Sequence, residues 1–167
     1  MDIEKIVIEK IECENIEQIC KIAVNAWEQI HAGYRDYIDN DDLYDRTSIN
    51  WAEKKAESIR VKAQTEPENV LIAKDCHGQV MGFVTFSFDK ISGIGEIGNN
   101  AVLPEFQGRG IGKQLYKNAL NILRERGAVY ATVSTGYDDS GHAKARAAYE
   151  KAGFKKMKSS VTYSMKL

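Results

Sequence analysis

Three glycines lie within five residues of the sequence, at positions 108, 110 and 112 of the stretch AVLPEFQGRGIGKQL. The residues before them have the pattern of a strand, and those after them carry apolar side chains at the spacing of one helical face. Glycines at such a junction let the backbone approach a ligand, and the free N–H groups of the first helical turn favour an anion. The stretch therefore predicts a strand–loop–helix unit that binds phosphate.

The spacing of this loop argues against the two most familiar phosphate loops. A nucleotide P-loop reads GxxxxGK followed by Ser or Thr, whereas Gln107 and Gln114 occupy its first and last positions here. A dinucleotide-binding loop reads GxGxxG after the first strand of a βαβ unit, whereas this loop reads GxGxG and has Lys113 at the sixth position. A different phosphate-binding loop is the remaining interpretation.

Hydrophobic periodicity predicts one mixed α/β domain over residues 1–167, a length sufficient to bury a core. The predicted helices cover 14–30, 41–47, 51–63, 111–127 and 142–153. The predicted strands cover 6–11, a hairpin around the turn 75–78, 93–103, 128–135, and one or two strands within 154–167. A β-bulge is expected at 98–100, where Gly-Asn-Asn interrupts the third strand of the central block.

Composition excludes several classes of protein. No apolar run is long enough to span a membrane, and the charged N-terminus does not resemble a signal peptide, so we expect a cytoplasmic protein with no membrane partner. The three cysteines form no CxxC or Cys/His cluster, so no metal site is expected. The basic residues carry no interleaved aromatic platform, which argues against nucleic-acid binding. The choice between a monomer and a homodimer stays open.

Two motifs resemble the GNAT superfamily of N-acetyltransferases. Gln107–Gly112 fits the loop Gln/Arg-x-x-Gly-x-Gly/Ala at each fixed position, and AVLPEF resembles its VxPxY/F lead-in. Residues 145–154, ARAAYEKAGF, resemble the terminal helix signature of the same superfamily. The resemblance covers most of the chain from residue 70 onward. It implies a mixed, mostly antiparallel central sheet flanked by helices, with the strand–glycine loop–helix unit at the cofactor site.

The resemblance implies acetyl-CoA as the acetyl donor and cosubstrate. Loop amides from Gly108 to Lys113 would bind its pyrophosphate, while the side chains of Arg109 and Lys113 either add charge or are solvated surface groups. The pantetheine arm would lie along the preceding strand, and His142 occupies the place where the superfamily usually has Asn. The implied cofactor-binding residues are Asn100, Ala101, Val102, Gln107, Gly108, Arg109, Gly110, Ile111, Gly112, Lys113 and His142.

The resemblance also implies direct attack of an amine on the thioester. Tyr149 matches the tyrosine whose hydroxyl protonates the departing thiolate of CoA. Glu96 lies eleven residues before Gln107, a spacing that resembles the glutamate base of histone-acetylating members, and water is the alternative base. Strand alternation places Glu96 on the same face as Asn100 unless the bulge shifts the phase.

The acceptor and the occurrence of catalysis are open at this stage. Residues 31–45 combine tyrosines with aspartates, which could attract a cationic amine or could form a solvated helix junction. The leading interpretation is an N-acetyltransferase that acts on a primary amine of a small molecule or peptide. The alternative is a catalytically silent acyl-CoA-binding sensor or interaction module on the same fold.

Overall fold

A computed structural model describes residues 6–137 and 141–166. Its five-stranded sheet has the order β1-β2-β3-β4-β5, in which the first three pairs are antiparallel and β4 and β5 are parallel. The strands are β1 (Val7–Lys10), β2 (Val70–Lys74), β3 (Val80–Asp89), β4 (Ile94–Val102) and β5 (Tyr130–Val133). The predicted mixed, mostly antiparallel sheet is thereby confirmed.

Helices cover both faces of the sheet. They are α1 (Ile16–Gly33), α2 (Asp41–Ser48), α3 (Trp51–Thr65), α4 (Ile111–Glu125) and α5 (Ala143–Lys151). One core cluster joins α1 and α3 to the sheet through side chains such as Ile19, Ile59 and Phe83. The other joins α4 and α5 to the opposite face and includes Phe86 and Leu115. Because each helix pair buries its apolar face against the sheet, the sheet separates two hydrophobic cores.

The predicted bulge lies in β4. Val84 pairs with Asn100 and Phe86 pairs with Ile97, so the single residue between the two β3 positions faces two residues of β4. A Cβ added to Gly98 would lie 2.6 Å from the Oγ1 atom of Thr85, which explains why glycine occupies this position. The extra residue shifts the alternation of side chains by one position.

This shift changes the predicted arrangement of Glu96. Glu96 pairs with Ser87, and Asn100 pairs with Val84. Paired residues share a face of the sheet, and these two β3 residues are three positions apart, so Glu96 and Asn100 lie on opposite faces. The simple alternation that would have placed them together does not hold in β4, because the bulge lies between them.

The bulge also marks the end of the pairing between β4 and β5. Their parallel ladder joins Ile94–Ile97 to Tyr130–Val133 and stops there. Residues 98–102 of β4 keep β3 as a neighbour on one side, and β5 does not continue along the other. The sheet therefore opens between these strands and leaves part of one β4 edge available to a ligand.

The prediction of C-terminal strands is wrong for the described residues, since 154–166 contain neither strand nor helix. The strand pattern came from the alternating residues Val161, Tyr163 and Met165, which are 74%, 90% and 80% exposed. A strand that buries none of its apolar side chains and pairs with no neighbour gains no stability. Among the helices described, none has the length and apolar character that crossing a bilayer requires.

Candidate active site

A cleft of about 620 Å³ opens where β4 and β5 separate. Its wall is formed by residues 96–102 of β4, Gln107, the residues after β5, the second half of α1, and α5 with the two residues before it. The predicted site residues that it brings together are Glu96, Asn100, Ala101, Val102, Gln107, His142 and Tyr149. Residues on both faces of the sheet therefore reach one cavity.

Tyr149 contributes a nearly buried hydroxyl to this cleft. It lies on α5 and is 7% exposed. Its Oη accepts a hydrogen bond from Asn100 Nδ2 at 3.0 Å. Burial raises the pKa of Tyr149, while the hydrogen bonds to Asn100 and Tyr116 act in the opposite direction. The side chain is therefore a protonated phenol at neutral pH and has a proton to give.

Glu96 lines the same cleft from the other side of the bulge. Its side chain is exposed, and within the described ranges we find no hydrogen bond or ion pair to its carboxylate. An accessible carboxylate without a protein partner can accept a proton directly or through water. The cleft thus brings together a potential acid, Tyr149, and a potential base, Glu96, from different faces of the sheet.

The glycine loop lies next to the cleft and outside its wall. Gly108 and Gly110 have φ values of +79° and +81°, so a left-handed backbone explains these two glycines. Gly112 is helical, and its nearest neighbour for an added Cβ would be Val102 Cγ2 at 4.0 Å. Ile111, Gly112 and Lys113 form the first turn of α4, where backbone N–H groups have no carbonyl partner within the helix.

The structure distinguishes the two cations of the loop. Arg109 Nη2 donates to the carbonyl oxygen of Glu105 at 3.1 Å, and the guanidinium lies 5.2 Å from the centroid of the Phe106 ring. Arg109 therefore packs back on the turn that precedes the loop. Lys113 is exposed on the first turn of α4. Gln107 Nε2 donates to the Val102 carbonyl at 3.1 Å and connects the start of the loop to the end of β4.

Sequence reasoning missed the contribution of α1 to the cleft. Trp27 and Ile30 continue the apolar stripe of this helix, but they lie beyond the part that packs on the sheet and line the cleft together with Tyr37. Three of the five aspartates of 31–45 form ion pairs on the surface instead: Asp41 and Asp45 with Arg35, and Asp42 with Arg46. For these three aspartates, the alternative of a solvated helix junction is the better description.

Lys55 on α3 connects two parts of the cleft wall. Its Nζ donates to Asn99 Oδ1 at 2.6 Å and lies 3.6 Å from the centroid of the Trp27 ring. Both contacted residues line the cleft. Burial lowers the pKa of Lys55 to about 8. No sequence motif marked this lysine, because its environment is formed by contacts between distant elements.

Residues 23–154 match the family model described as Acetyltransferase (GNAT) family. A mycothiol acetyltransferase of Stackebrandtia nassauensis is 36% identical over 108 residues, which are 61% of this chain and 33% of that protein, so the chain spans about a third of this curated relative. The fold is similar to that of PaiA N-acetyltransferase from Thermoplasma acidophilum in complex with coenzyme A, with a TM-score of 0.68 and 22% identity over 90% of both chains. It is also similar to a GNAT family acetyltransferase from Brucella melitensis in complex with acetyl-CoA, with a TM-score of 0.57 and 22% identity over 92% of this chain and 84% of that one.

The lowered pKa of Lys55 predicts a pH-dependent contribution to stability. The pKa of Lys55 is about 8 in the folded protein, and its ordinary value is 10.5. At a pH between these two values, Lys55 is protonated in most unfolded chains and deprotonated in most folded ones. The free energy of unfolding of the wild type, relative to that of Lys55→Met, should therefore increase as the pH rises through this window. Urea unfolding of both proteins between about pH 7 and 10 measures this difference. Lys54→Met, which removes an exposed ammonium from the same helix, is the matched control. A difference in unfolding free energy between the wild type and Lys55→Met that stays constant with pH would contradict the prediction.

Proposed function

Because the chain belongs to the acetyltransferase (GNAT) family, a family of acyltransferase enzymes, we propose that it transfers an acetyl group from acetyl-CoA to a primary amine of a small molecule or peptide. The observation that carries this proposal is the joint position of the Tyr149 hydroxyl, the Glu96 carboxylate and part of an open β4 edge around one cleft. These are the groups that direct acetyl transfer requires: a proton donor, a proton acceptor and a surface for an extended donor molecule.

Acetyl-CoA would bind along β4 and the loop that follows it. The open β4 edge from Asn100 to Val102 offers backbone groups to the amides of pantetheine, as an added strand would use them. The pyrophosphate would lie at the first turn of α4, where free N–H groups and the helix dipole favour an anion. His142 lines the cleft at the residue before α5 and would face the pantetheine arm.

The chemistry needs no covalent enzyme intermediate. The amine nitrogen attacks the thioester carbonyl carbon, a C–N bond forms, and the C–S bond to CoA breaks as the tetrahedral intermediate collapses. Glu96, or water, takes the proton that the amine loses, and Tyr149 gives its proton to the departing thiolate. Cys13, Cys20 and Cys76 all lie outside the wall of the cleft, which agrees with direct attack.

Acetyl-CoA turnover across a panel of primary amines tests this function. The panel should include alkyl monoamines, polyamines, aminosugars and peptides, with free CoA measured as the product. We expect amine-dependent release of CoA together with an acetylated amine. Acetyl-CoA binding without turnover on any amine would instead favour the silent acyl-CoA-binding module.

Tyr149→Phe should lower kcat about 10- to 100-fold, because the thiolate would leave without its proton donor. The dissociation constant for acetyl-CoA should change little, since the ring and its packing are kept. Steady-state kinetics and calorimetric titration measure the two quantities. Wild-type turnover by this variant would remove Tyr149 from the mechanism.

Glu96→Gln tests the base. If Glu96 takes the amine proton, removal of its carboxylate should change the dependence of kcat/KM on pH. Profiles for the wild type and the variant, measured with the same amine, provide the comparison. Glu125→Gln, an exposed acid on α4, is the control. Superimposable profiles for the wild type and Glu96→Gln would leave water as the base.

Gly112→Ala separates cofactor binding from stability. The added methyl group has space in the free protein, where its nearest neighbour is 4.0 Å away, and Ala is favourable in a helix. In the complex, the same methyl group would hold the pyrophosphate away from the loop amides. We expect the dissociation constant for acetyl-CoA to rise about 10-fold, equivalent to one weakened charge-assisted hydrogen bond, without a lower unfolding midpoint. Unchanged binding would place the pyrophosphate elsewhere, and Lys117→Ala on the exposed face of α4 is the control.

A further inference from the structure

A chain of three polar side chains runs from the wall of the cleft into the core behind it. Tyr116 on α4 is 6% exposed, and its hydroxyl donates to Asn100 Oδ1 at 2.7 Å. Asn100 Nδ2 donates in turn to Tyr149 Oη at 3.0 Å. The rings of Tyr116 and Tyr149 are also in contact, with centroids 5.6 Å apart and an interplanar angle of 47°. Two tyrosines from different helices thus meet at one asparagine of β4.

The contacts of Asn100 fix which way its amide points. Nδ2 also lies 3.0 Å from the carbonyl oxygen of Gly98, an atom that can only accept a hydrogen bond. Nitrogen must therefore occupy that side of the amide, and oxygen must face Tyr116. Both hydrogens of Nδ2 are then used, one by Gly98 and one by Tyr149.

This orientation determines the direction of the hydrogen bond at Tyr149. The Tyr149 oxygen accepts from Asn100 and cannot donate its own proton back to an NH₂ group. The hydroxyl proton must therefore point away from Asn100, and the cleft that Tyr149 lines is one direction open to it. We propose that Tyr116 and the side chain of Asn100 are positioning residues that hold the Tyr149 hydroxyl with its proton directed towards the substrate. This role rests on the proposed function of Tyr149 as the acid, and it is distinct from the binding of pantetheine by the Asn100 backbone.

The same donors stabilise the product of proton transfer. When Tyr149 gives its proton to the CoA thiolate, a phenolate forms in a nearly buried site and later recovers a proton from solvent. Burial raises the pKa of Tyr149 and opposes this step, while the hydrogen bonds to Asn100 and Tyr116 lower it. Tyr116 has one hydroxyl proton, so it supports the acid in two successive ways: it fixes the Asn100 amide while Tyr149 is protonated, and it can donate to the phenolate after the transfer.

The β4 bulge makes this arrangement possible. Without the extra residue, Asn100 would lie on the face of α1 and α3, away from both tyrosines. With it, Asn100 lies between α4 and α5, while Glu96 stays on the other face.

Tyr116→Phe tests the positioning role, because it keeps the ring and removes only the hydroxyl. With an amine that the wild type acetylates, we expect kcat to fall about 10-fold, the effect of one lost hydrogen bond, with the KM for acetyl-CoA unchanged. In the background of Tyr149→Phe, the same substitution should have no further effect on kcat, because the group that it positions is absent. Tyr130→Phe, which removes an exposed tyrosine hydroxyl from β5, is the matched control.

Asn100→Asp provides a second, nearly isosteric variant. Its carboxylate cannot donate to Tyr149 and would instead accept a hydrogen bond from the Tyr149 hydroxyl, which turns the proton away from the substrate, so we expect a larger loss of kcat than for Tyr116→Phe. Urea unfolding of each variant verifies that the compared proteins are folded.

The outcomes separate the two levels of the proposal. Wild-type kcat for Tyr116→Phe, or an equal loss of kcat with and without the Tyr149 hydroxyl, would overturn the positioning role alone. Wild-type kcat for Tyr149→Phe would overturn the acid assignment and the positioning role together. The absence of turnover on every amine would overturn the proposed function itself.

Discussion

Thr85 and Gly98 meet where β3 and β4 pair, and the contact leaves no room for a side chain at position 98, because a Cβ there would lie 2.6 Å from Thr85 Oγ1. The bulge at this point reverses the alternation of β4, so that Asn100 faces α4 and α5 while Glu96 faces α1 and α3. It also coincides with the last paired residue of β5. The cleft, the separation of the two candidate proton-transfer groups and the hydrogen bonds of Tyr149 all depend on this local departure from regular pairing.

The two hydrophobic cores allow the sheet to open without losing the fold. Residues such as Ile59 and Phe83 hold α1 and α3 on one face, and Phe86 and Leu115 hold α4 on the other. The two cores lie on opposite faces of the sheet, and the gap between β4 and β5 begins only after the paired residues Ile97 and Val133. The second half of α1 is then free to line the cleft through Trp27 and Ile30.

Local patterns in the sequence predicted the elements up to residue 153 and the bulge, and the family resemblance implied seven of the residues that line the cleft, but not those of α1. Glycines, helical spacing and strand alternation are properties of neighbouring residues, so they can be read without the fold. The roles of Tyr116 and Lys55 could not be predicted, because each depends on a partner from another element, Asn100 or Asn99. The prediction of C-terminal strands was wrong because the alternation of 161–165 is a local pattern, whereas the exposure of its apolar side chains depends on the rest of the fold.

The hydrogen bond from Gln107 to the Val102 carbonyl joins the end of β4 to the start of the glycine loop. On the proposed function, this contact fixes the distance between the site for pyrophosphate and the site for the thioester. The distance between the two sites then determines which length of donor can bind with its thioester at Tyr149. A CoA analogue with a shortened or lengthened pantetheine arm would retain its phosphates at α4 and present its thioester away from Tyr149. Selection of the donor would therefore depend on length as much as on the chemical nature of the acyl group.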